Sequence, residues 1–517
     1  MNFLSIIRNF PGGNTMFFRH NKENKKDFIY SESPVNNNIE LTVNNIKHMM
    51  LGSEDIIFRE ILVNNVKVTI LYIDGLINNT ITSDFILKPL KQDENIKTAK
   101  SESQIIKLIQ EGNIYYASQK TRTTANDVIS DILLGSTALI FDNEKTAITF
   151  HNAGFEKRSI TEPTGENVIR GSKDSFVETL RVNTSIIRNK IKSQNLKIEQ
   201  ITIGERTQTP VDIIYIDGIV NIKMVDELKK RLEGINIDGA LTTSIIEEYL
   251  IERKYTLFPQ IIYTERSDKF CSDIVEGRIG LIVDGIPSTF ILPATLLQCL
   301  QAPEDYSQNF IFSSAIRLMR FVLMVIALIL PAFYTAVTSF HQEMIPSKLA
   351  SFIVTAKEGV PFPTFIEVIF MLVTFEILIE AGIRLPKAIG QAMSIVGAVI
   401  VGQSAIEANL VSPAVLVIVA LSAISSFAMP NQDLSNAIRF WRFIIVILAS
   451  IIGLFGLMMG LLALLLVLAD MEFLGVPYLS PFVASEYMDL KDSIFRLRLP
   501  NLHKRPYNLK TSDRKRR

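Results

Sequence analysis

Four charged side chains and one amide fall at four-residue spacing inside or at the edge of apolar stretches long enough to cross a bilayer. Glu376, Glu380 and Arg384 follow one another at i, i+4 and i+8, the first two inside the otherwise apolar stretch 365–383 and the third just after it. That spacing stacks them along one face of a helix. Glu380 precedes Arg384 in the order that favours an ion pair, whereas Glu376 has no local partner. Gln403 and Glu407 repeat the four-residue spacing at the end of the next apolar run. A charged carboxylate in hydrocarbon costs at least ~2.5 kcal/mol, so such groups face a bundle interior or water. The chemistry open to them is an ion path or a polar contact between subunits, and the alternative is a salt bridge at a helix end near the interface. For Glu380 and Arg384 the two stand level. Glu376 lies one turn deeper and points to function.

No enzyme motif accompanies them. The sequence has no phosphate-binding G-x-x-x-x-G-K-[ST] loop, no H-E-x-x-H and no Cys/His cluster at metal spacing. Five scattered histidines are a poor basis for imidazole catalysis, and the two cysteines, Cys271 and Cys299, read as reduced thiols. The expectation is a protein that is not an enzyme and has no cofactor and no metal. Asp74, Asp217 and Asp284 each precede a glycine at the end of a β-branched run. Turn chemistry explains them better than a metal or phosphate site. Pro331 sits within an apolar run, where it frees a backbone carbonyl and makes a kink or a hinge. Gly390, Gly397 and Gly402, with Ala392, Ala398 and Ala405, provide small residues for close helix packing.

The elements that must position these groups divide unevenly along 517 residues. Lys plus Arg and Asp plus Glu both number 53, so no global field points to nucleic acid. Mean hydropathy is +0.25, and residues 321–469 carry most of the long apolar runs. No signal-peptide core precedes them, so the soluble half is expected on the side of synthesis. Residues 1–44 read as a disordered tail rich in Asn, Lys and Ser. Short β-branched runs then alternate with amphipathic stretches, which argues α/β. Tyr72-Ile73-Asp74-Gly75-Leu76-Ile77-Asn78 returns as Tyr215-Ile216-Asp217-Gly218-Ile219-Val220-Asn221, a shift of 143. Gly135 with Leu139-Ile140-Phe141-Asp142 returns as Gly277 with Leu281-Ile282-Val283-Asp284, a shift of 142. Two blocks recurring in order predict two related subdomains, at 45–160 and 161–310. Between the blocks, Phe176, Leu180, Ile187 and Ile191 form a stripe, with Arg181, Arg188, Lys190 and Lys192 off it, and this predicts a surface helix.

Residues 311–483 are expected to form a helical membrane domain, and 484–517 a basic cytosolic tail. Uncharged runs at 321–340, 388–406, 408–432 and 443–469 are long enough to span, and 365–383 is a fifth candidate broken by Glu367, Glu376 and Glu380. The flanks Arg317 and Arg320, Arg384 and Lys387, and Arg439 and Arg442 belong on the inside, as does the basic tail. Five crossings from an inside start would leave that tail outside. Either one stretch is re-entrant, or the piece 473–483 dips back. The tail's last cations, Arg514, Lys515, Arg516 and Arg517, suit either anionic lipid or a solvated end.

A chain of linear motifs resembles the A subunit of the GerA-type spore germination receptors. It begins with Glu162-Pro163, Glu166 and Ile169-Arg170-Gly171, leading to Phe176, Glu178, Leu180, Arg181, Asn183, Ile187 and Arg188. It continues through Phe258-Pro259-Gln260, Thr264-Glu265-Arg266, Asp284-Gly285 with Pro287, and Glu304-Asp305-Tyr306. In the apolar half it includes Phe340-His341 with Glu343-Met344-Ile345-Pro346, then Glu380-Ala381-Gly382-Ile383-Arg384-Leu385-Pro386. Ile395-Val396-Gly397-Ala398, Gly402-Gln403 and Gly475-Val476-Pro477-Tyr478-Leu479-Ser480-Pro481 complete it. Ser267 and Ser172 depart from the pattern, each standing where the family has proline.

The resemblance implies a subunit of the spore inner membrane with its soluble domain toward the core. It implies a transporter-like B subunit that binds nutrients, a lipoprotein C subunit, and a homo-oligomer that releases ions when nutrient is sensed. On that expectation the chain is a multi-pass protein in contact with membrane lipid, with no nucleic-acid partner. Glu376, Glu380, Arg384, Gln403 and Glu407 then belong to a pore or to its subunit contacts. Two alternatives share the architecture: an accessory A-like protein of the dipicolinate release channel, and a secondary transporter. Transporters commonly repeat their spans, whereas the repeat here lies in the soluble half.

Overall fold

A computed structural model describes residues 39–154, 172–384, 402–483 and 492–516. The first lobe is a five-stranded sheet in the order β1-β2-β4-β5-β3. Its strands are β1 (Ile56–Val63), β2 (Val66–Ile73), β3 (Gln119–Arg122), β4 (Ser136–Phe141) and β5 (Thr146–His151). The second lobe repeats that order as β6-β7-β9-β10-β8. Here the strands are β6 (Leu196–Ile203), β7 (Thr209–Ile216), β8 (Ile262–Thr264), β9 (Ile279–Val283) and β10 (Thr289–Leu292). All the sheet pairings of named strands are antiparallel, with Ile56 opposite Ile73 in one lobe and Leu196 opposite Ile216 in the other. The sequence repeat is therefore a repeat of topology.

Period-two patterning explains the layers. Along β2, Val68 and Ile70 face a core shared with Ile86, Ile105 and Phe150, while Leu71 and Ile73 face one built from Leu41, Ile46 and Ile132. Both faces are covered, so the strand reads as a continuous apolar run. The aspartate–glycine pairs are turns, with positive φ at Gly75, Gly218 and Gly285 of 82°, 79° and 82°. Asp284 Oδ1 accepts the Leu180 N–H at 3.0 Å, and Asp217 Oδ1 accepts the Gly218 N–H at 2.9 Å. Among the described residues no three His, Cys, Asp or Glu side chains converge as metal ligands. The fold begins earlier than residue 45: Leu41 is fully buried and Glu40 pairs with Thr124. Most of the expected N-terminal tail, residues 1–38, lies outside the described residues.

The helix between the repeats, α1 (Leu180–Lys190), is not a surface helix. Asn183, Ile187 and Arg188 are fully buried. Arg188 forks onto Asp55 of the first lobe at 2.7 and 2.8 Å and donates to the Leu196 carbonyl at 3.0 Å. Its charge is matched 133 residues away, which local spacing could not show. Next to this pair, backbone bonds from Ile198 N to Gly52 O and from Glu54 N to Ile198 O join the two lobes.

Among the described residues five long helices follow: α2 (Phe310–Phe340), α3 (Thr364–Arg384), α4 (Pro413–Phe427), α5 (Gln432–Ile452) and α6 (Leu454–Ala469). Among the described residues α2 and α5 are long and apolar enough to cross a membrane, whereas α4 and α6 are shorter apolar helices. The run 443–469, expected as one span, breaks at Gly453, whose φ of +65° ends α5. Gly456 lets α6 fold back closely, since a Cβ there would lie 2.0 Å from the Leu448 carbonyl oxygen. The piece after α6 does not dip back as a separate apolar element. Phe473, Leu474 and Val476 plug into the core of the second lobe, and Leu296 N–H bonds the Tyr478 carbonyl at 2.9 Å. The segment 492–516 also returns to this lobe, where Ser512 N–H reaches the Ile219 carbonyl at 2.9 Å.

One apolar core runs from the second sheet into the bundle, linking Ile198, Ile214 and Phe270 with Ala332, Val368 and Val446. The soluble and helical halves therefore pack as a continuous body.

Candidate functional site

Pro331 lies in the middle of α2 and has no N–H to give the Ala327 carbonyl, one helical turn back. Ala327 is 1% exposed, so water cannot replace that donor. The hydroxyl of Ser422 on α4 does, at 2.9 Å. Thr335 Oγ1 returns a bond of 2.8 Å to the Pro331 carbonyl. The carbonyl that Pro331 leaves without a helical donor is therefore satisfied by a side chain from a neighbouring helix, an arrangement that lets proline persist in an apolar bundle.

Ser422 has a second contact. Its Oγ accepts from Arg442 Nη1 on α5 at 3.1 Å. Arg442 is 1% exposed, and its Nη2 donates to Glu376 Oε1 on α3 at 3.0 Å. The other oxygen of Glu376 accepts from Arg439 Nη1 at 2.9 Å, and Arg439 also bonds Asn436. A continuous polar chain thus runs from Ala327 through Ser422 and Arg442 to Glu376 and Arg439, and it touches α2, α3, α4 and α5. Beside it, Ser435 Oγ donates to the Ser426 carbonyl at 2.9 Å, which ties α5 to the end of α4.

A second polar contact closes the other end of α3. Glu367 is 1% exposed and accepts the Ser412 N–H at 2.8 Å, capping the start of α4. Lys357 Nζ lies 3.3 Å from Glu367 and donates to Thr364 Oγ1 at 2.7 Å. Two carboxylates of α3, Glu367 and Glu376, about two and a half turns apart, therefore fasten it to different neighbours.

The expected site residues fare differently. Glu376 gains partners 63 and 66 residues away, which no local pattern indicated. Arg439 and Arg442, read as cytosolic flanks, lie within α5 and turn one face toward Glu376. Their i, i+3 spacing within an apolar helix was the available signal. Ser422 gave none, because a serine in an apolar run looks like a spacer. Glu380 stands exposed on α3, and the side chain of Arg384 lies outside the described residues. Gln403 Nε2 donates to Glu407 Oε1 at 3.0 Å on the exposed surface, and none of the described contacts takes this pair into the Glu376 cluster. Gly402 packs against Leu416, whereas Gly390 and Gly397 lie outside the described residues, as do Glu162, Pro163, Glu166, Ile169, Arg170 and Gly171. Cys271 and Cys299 are free and buried, and burial pushes both thiols up to about 12, so they are inert.

Residues 44–508 match the family described as Bacillus/Clostridium GerA spore germination protein. The chain is 38% identical to spore germination protein KA of Bacillus subtilis (strain 168), over 90% of this chain and 85% of that protein. It is 36% identical to the uncharacterized membrane protein YfkQ of the same organism, over 89% of each chain. Among solved structures it is similar to the N-terminal domain of the A subunit of the Bacillus megaterium spore germinant receptor GerK3. That likeness has 30% identity and a TM-score of 0.40, and covers 50% of this chain and 97% of that one.

Proposed function

The chain belongs to the GerA family of spore germination proteins, and from this premise we propose that it is the A subunit of a nutrient-sensing receptor whose helical half forms an oligomeric, ligand-gated ion channel in the membrane. In this reading α2 and α5 cross the bilayer with the shorter apolar helices packed beside them, and the protein is multi-pass. A transporter-like B subunit binds the nutrient and a lipoprotein C subunit completes the complex.

The observation that carries the reading is the chain Ala327–Ser422–Arg442–Glu376–Arg439. Charges inside an apolar bundle contribute less to stability than apolar packing of the same volume, so their presence argues for a task. Here the task is to hold one of two states. A shift of α5 against α3 separates Glu376 from its arginines. The same shift withdraws Arg442 from Ser422, which holds the carbonyl freed at Pro331. Bending of α2 and exposure of polar groups to a water path are thereby one event. A ligand that favours one helix arrangement drives the change by its differential affinity.

The test is Glu376→Gln in spores. It keeps the side-chain volume and removes the charge that balances Arg439 and Arg442. The expected result is a changed rate of nutrient-triggered ion release with a normal amount of protein. Germination and ion release at the parental rate would remove Glu376 from the mechanism.

A further inference from the structure

The segment after the last helices does not hang free, and its contacts form a track between the soluble half and the first long helix. Glu276, at the end of the helix Ser267–Val275, accepts from Arg516 Nη2 at 2.7 Å. Arg516 Nη1 lies 3.9 Å from Asp492 Oδ2. Asp492 Oδ1 accepts from Arg317 Nη1 on α2 at 3.1 Å. Arg317 Nε donates to Asp305 Oδ2 at 2.9 Å, and Asp305 Oδ1 accepts from Arg320 at 2.9 Å.

These are not loose surface pairs. The side chains of Arg317 and Asp305 are each 2% exposed. The Tyr306 ring lies 5.2 Å from both the Arg317 and the Arg496 guanidinium groups. Arg496 Nη1 donates to the Gln308 carbonyl at 2.7 Å, and Ser314 Oγ donates to the Arg496 carbonyl at 3.0 Å. At the lobe end, Arg505 Nε donates to the Val275 carbonyl at 3.0 Å. Thr511 packs so closely that a Cβ on Gly277 would lie 2.5 Å from its Cγ2.

We infer that residues 492–516 are a coupling strap whose positioning residues, Asp492, Arg496 and Arg516, transmit movement between the second lobe and the base of α2. The inference rests on the reading of the bundle as gated. The strap is seated on the second lobe and on α2 by buried or half-buried charge pairs, and breaking one partner of such a pair leaves the other unmatched. A tilt of the lobe therefore pulls on Arg317 through the strap. Pro331, on the same helix as Arg317, is where α2 can yield.

A double-mutant cycle with neutral variants tests both halves. In purified full-length protein, amide hydrogen exchange is followed over residues 504–516 for Glu276→Gln, Arg516→Gln and the pair. Each single change is expected to speed exchange about tenfold, and the pair no more than Arg516→Gln alone, because Arg516→Gln already removes the bond that Glu276→Gln breaks. Unchanged exchange, or effects that multiply, overturns the docking. In spores, variants that loosen the strap at normal protein level are expected to slow the nutrient response several-fold. A parental response despite faster exchange overturns the transmission. Should either variant lower the amount of protein, Arg516→Lys, which keeps the charge, must restore both amount and response. Failure of the gating reading is seen separately, in Glu376→Gln spores whose strap exchange is normal.

Discussion

The hydroxyl of Ser422 stands 2.9 Å from the carbonyl oxygen of Ala327, the oxygen that Pro331 leaves without a helical donor. The same hydroxyl takes a bond from Arg442, so the carbonyl freed by Pro331 and the Arg442–Glu376 ion pair meet at one atom. The consequences can be measured.

Ser422→Ala removes the donor to Ala327 and an acceptor for Arg442, leaving both groups buried with a bond unmade. The expected cost is about 1–3 kcal/mol. It should appear as a lower melting temperature of the detergent-purified protein, with Ser422→Thr close to the parent. An unchanged melting temperature for Ser422→Ala would show that the Ala327 carbonyl needs no side-chain donor.

Glu376 and Arg442 should be strongly coupled. Glu376→Met leaves two arginines without their carboxylate, and Arg442→Met leaves Glu376 half-paired. Each is expected to destabilise more than the double variant does, with a coupling energy of roughly 1–3 kcal/mol. Chemical denaturation of the four proteins gives that energy directly. Additive losses would mean that Arg439 alone serves Glu376.

The lobes are joined by Asp55 and Arg188, whose side chains are 1% and 0% exposed. Asp55→Asn strands a buried guanidinium and is expected to destabilise by about 3–5 kcal/mol. Faster hydrogen exchange should appear at Ile198 and Glu54, whose N–H groups bridge the lobes. An effect confined to residues beside Asp55 would argue that the bridge stands without the pair.

Asp212 makes the soluble half sensitive to pH. It is fully buried in β7, and burial raises its carboxyl from 3.8 to about 7, opposed by Arg181 and by the bond from Gln200, with Asp55 and Glu54 adding to the rise. Below about pH 4 both folded and unfolded chains hold the proton, and the contribution to stability is complete. Between there and about pH 7 the unfolded chain releases the proton while the folded chain keeps it. On the order of 4 kcal/mol is lost across that window. The melting temperature should fall as pH rises from 5 to 8, and Asp212→Asn should flatten that slope. An equal slope in both proteins would refute the assignment.

Within the fold, the two lobes were legible because their signals are local. A buried strand ending in Asp-Gly writes the same seven-residue pattern wherever it occurs, so the block at Tyr72 announced the one at Tyr215. Most of helix α2 was legible in the same way, as the uncharged run 321–340, although the helix begins at Phe310 and takes in Arg317 and Arg320. The end of α5 was not. A glycine in an apolar run reads as a small packing residue, and its positive φ exists only once α6 folds back on α5.

The sequence by itself determined the repeat, the division into an α/β half and an apolar half, and the presence of acidic side chains within an apolar run. These follow from side-chain periodicity and the transfer free energy of charge, both properties of a short window. Tertiary structure alone decided what those acids meet. Glu376 reaches Arg439 and Arg442 across 63 and 66 residues, Arg188 reaches Asp55 across 133, and Asp492 reaches Arg317 across 175. An ion pair's energy depends on distance and burial in space. Separation along the chain carries no record of either.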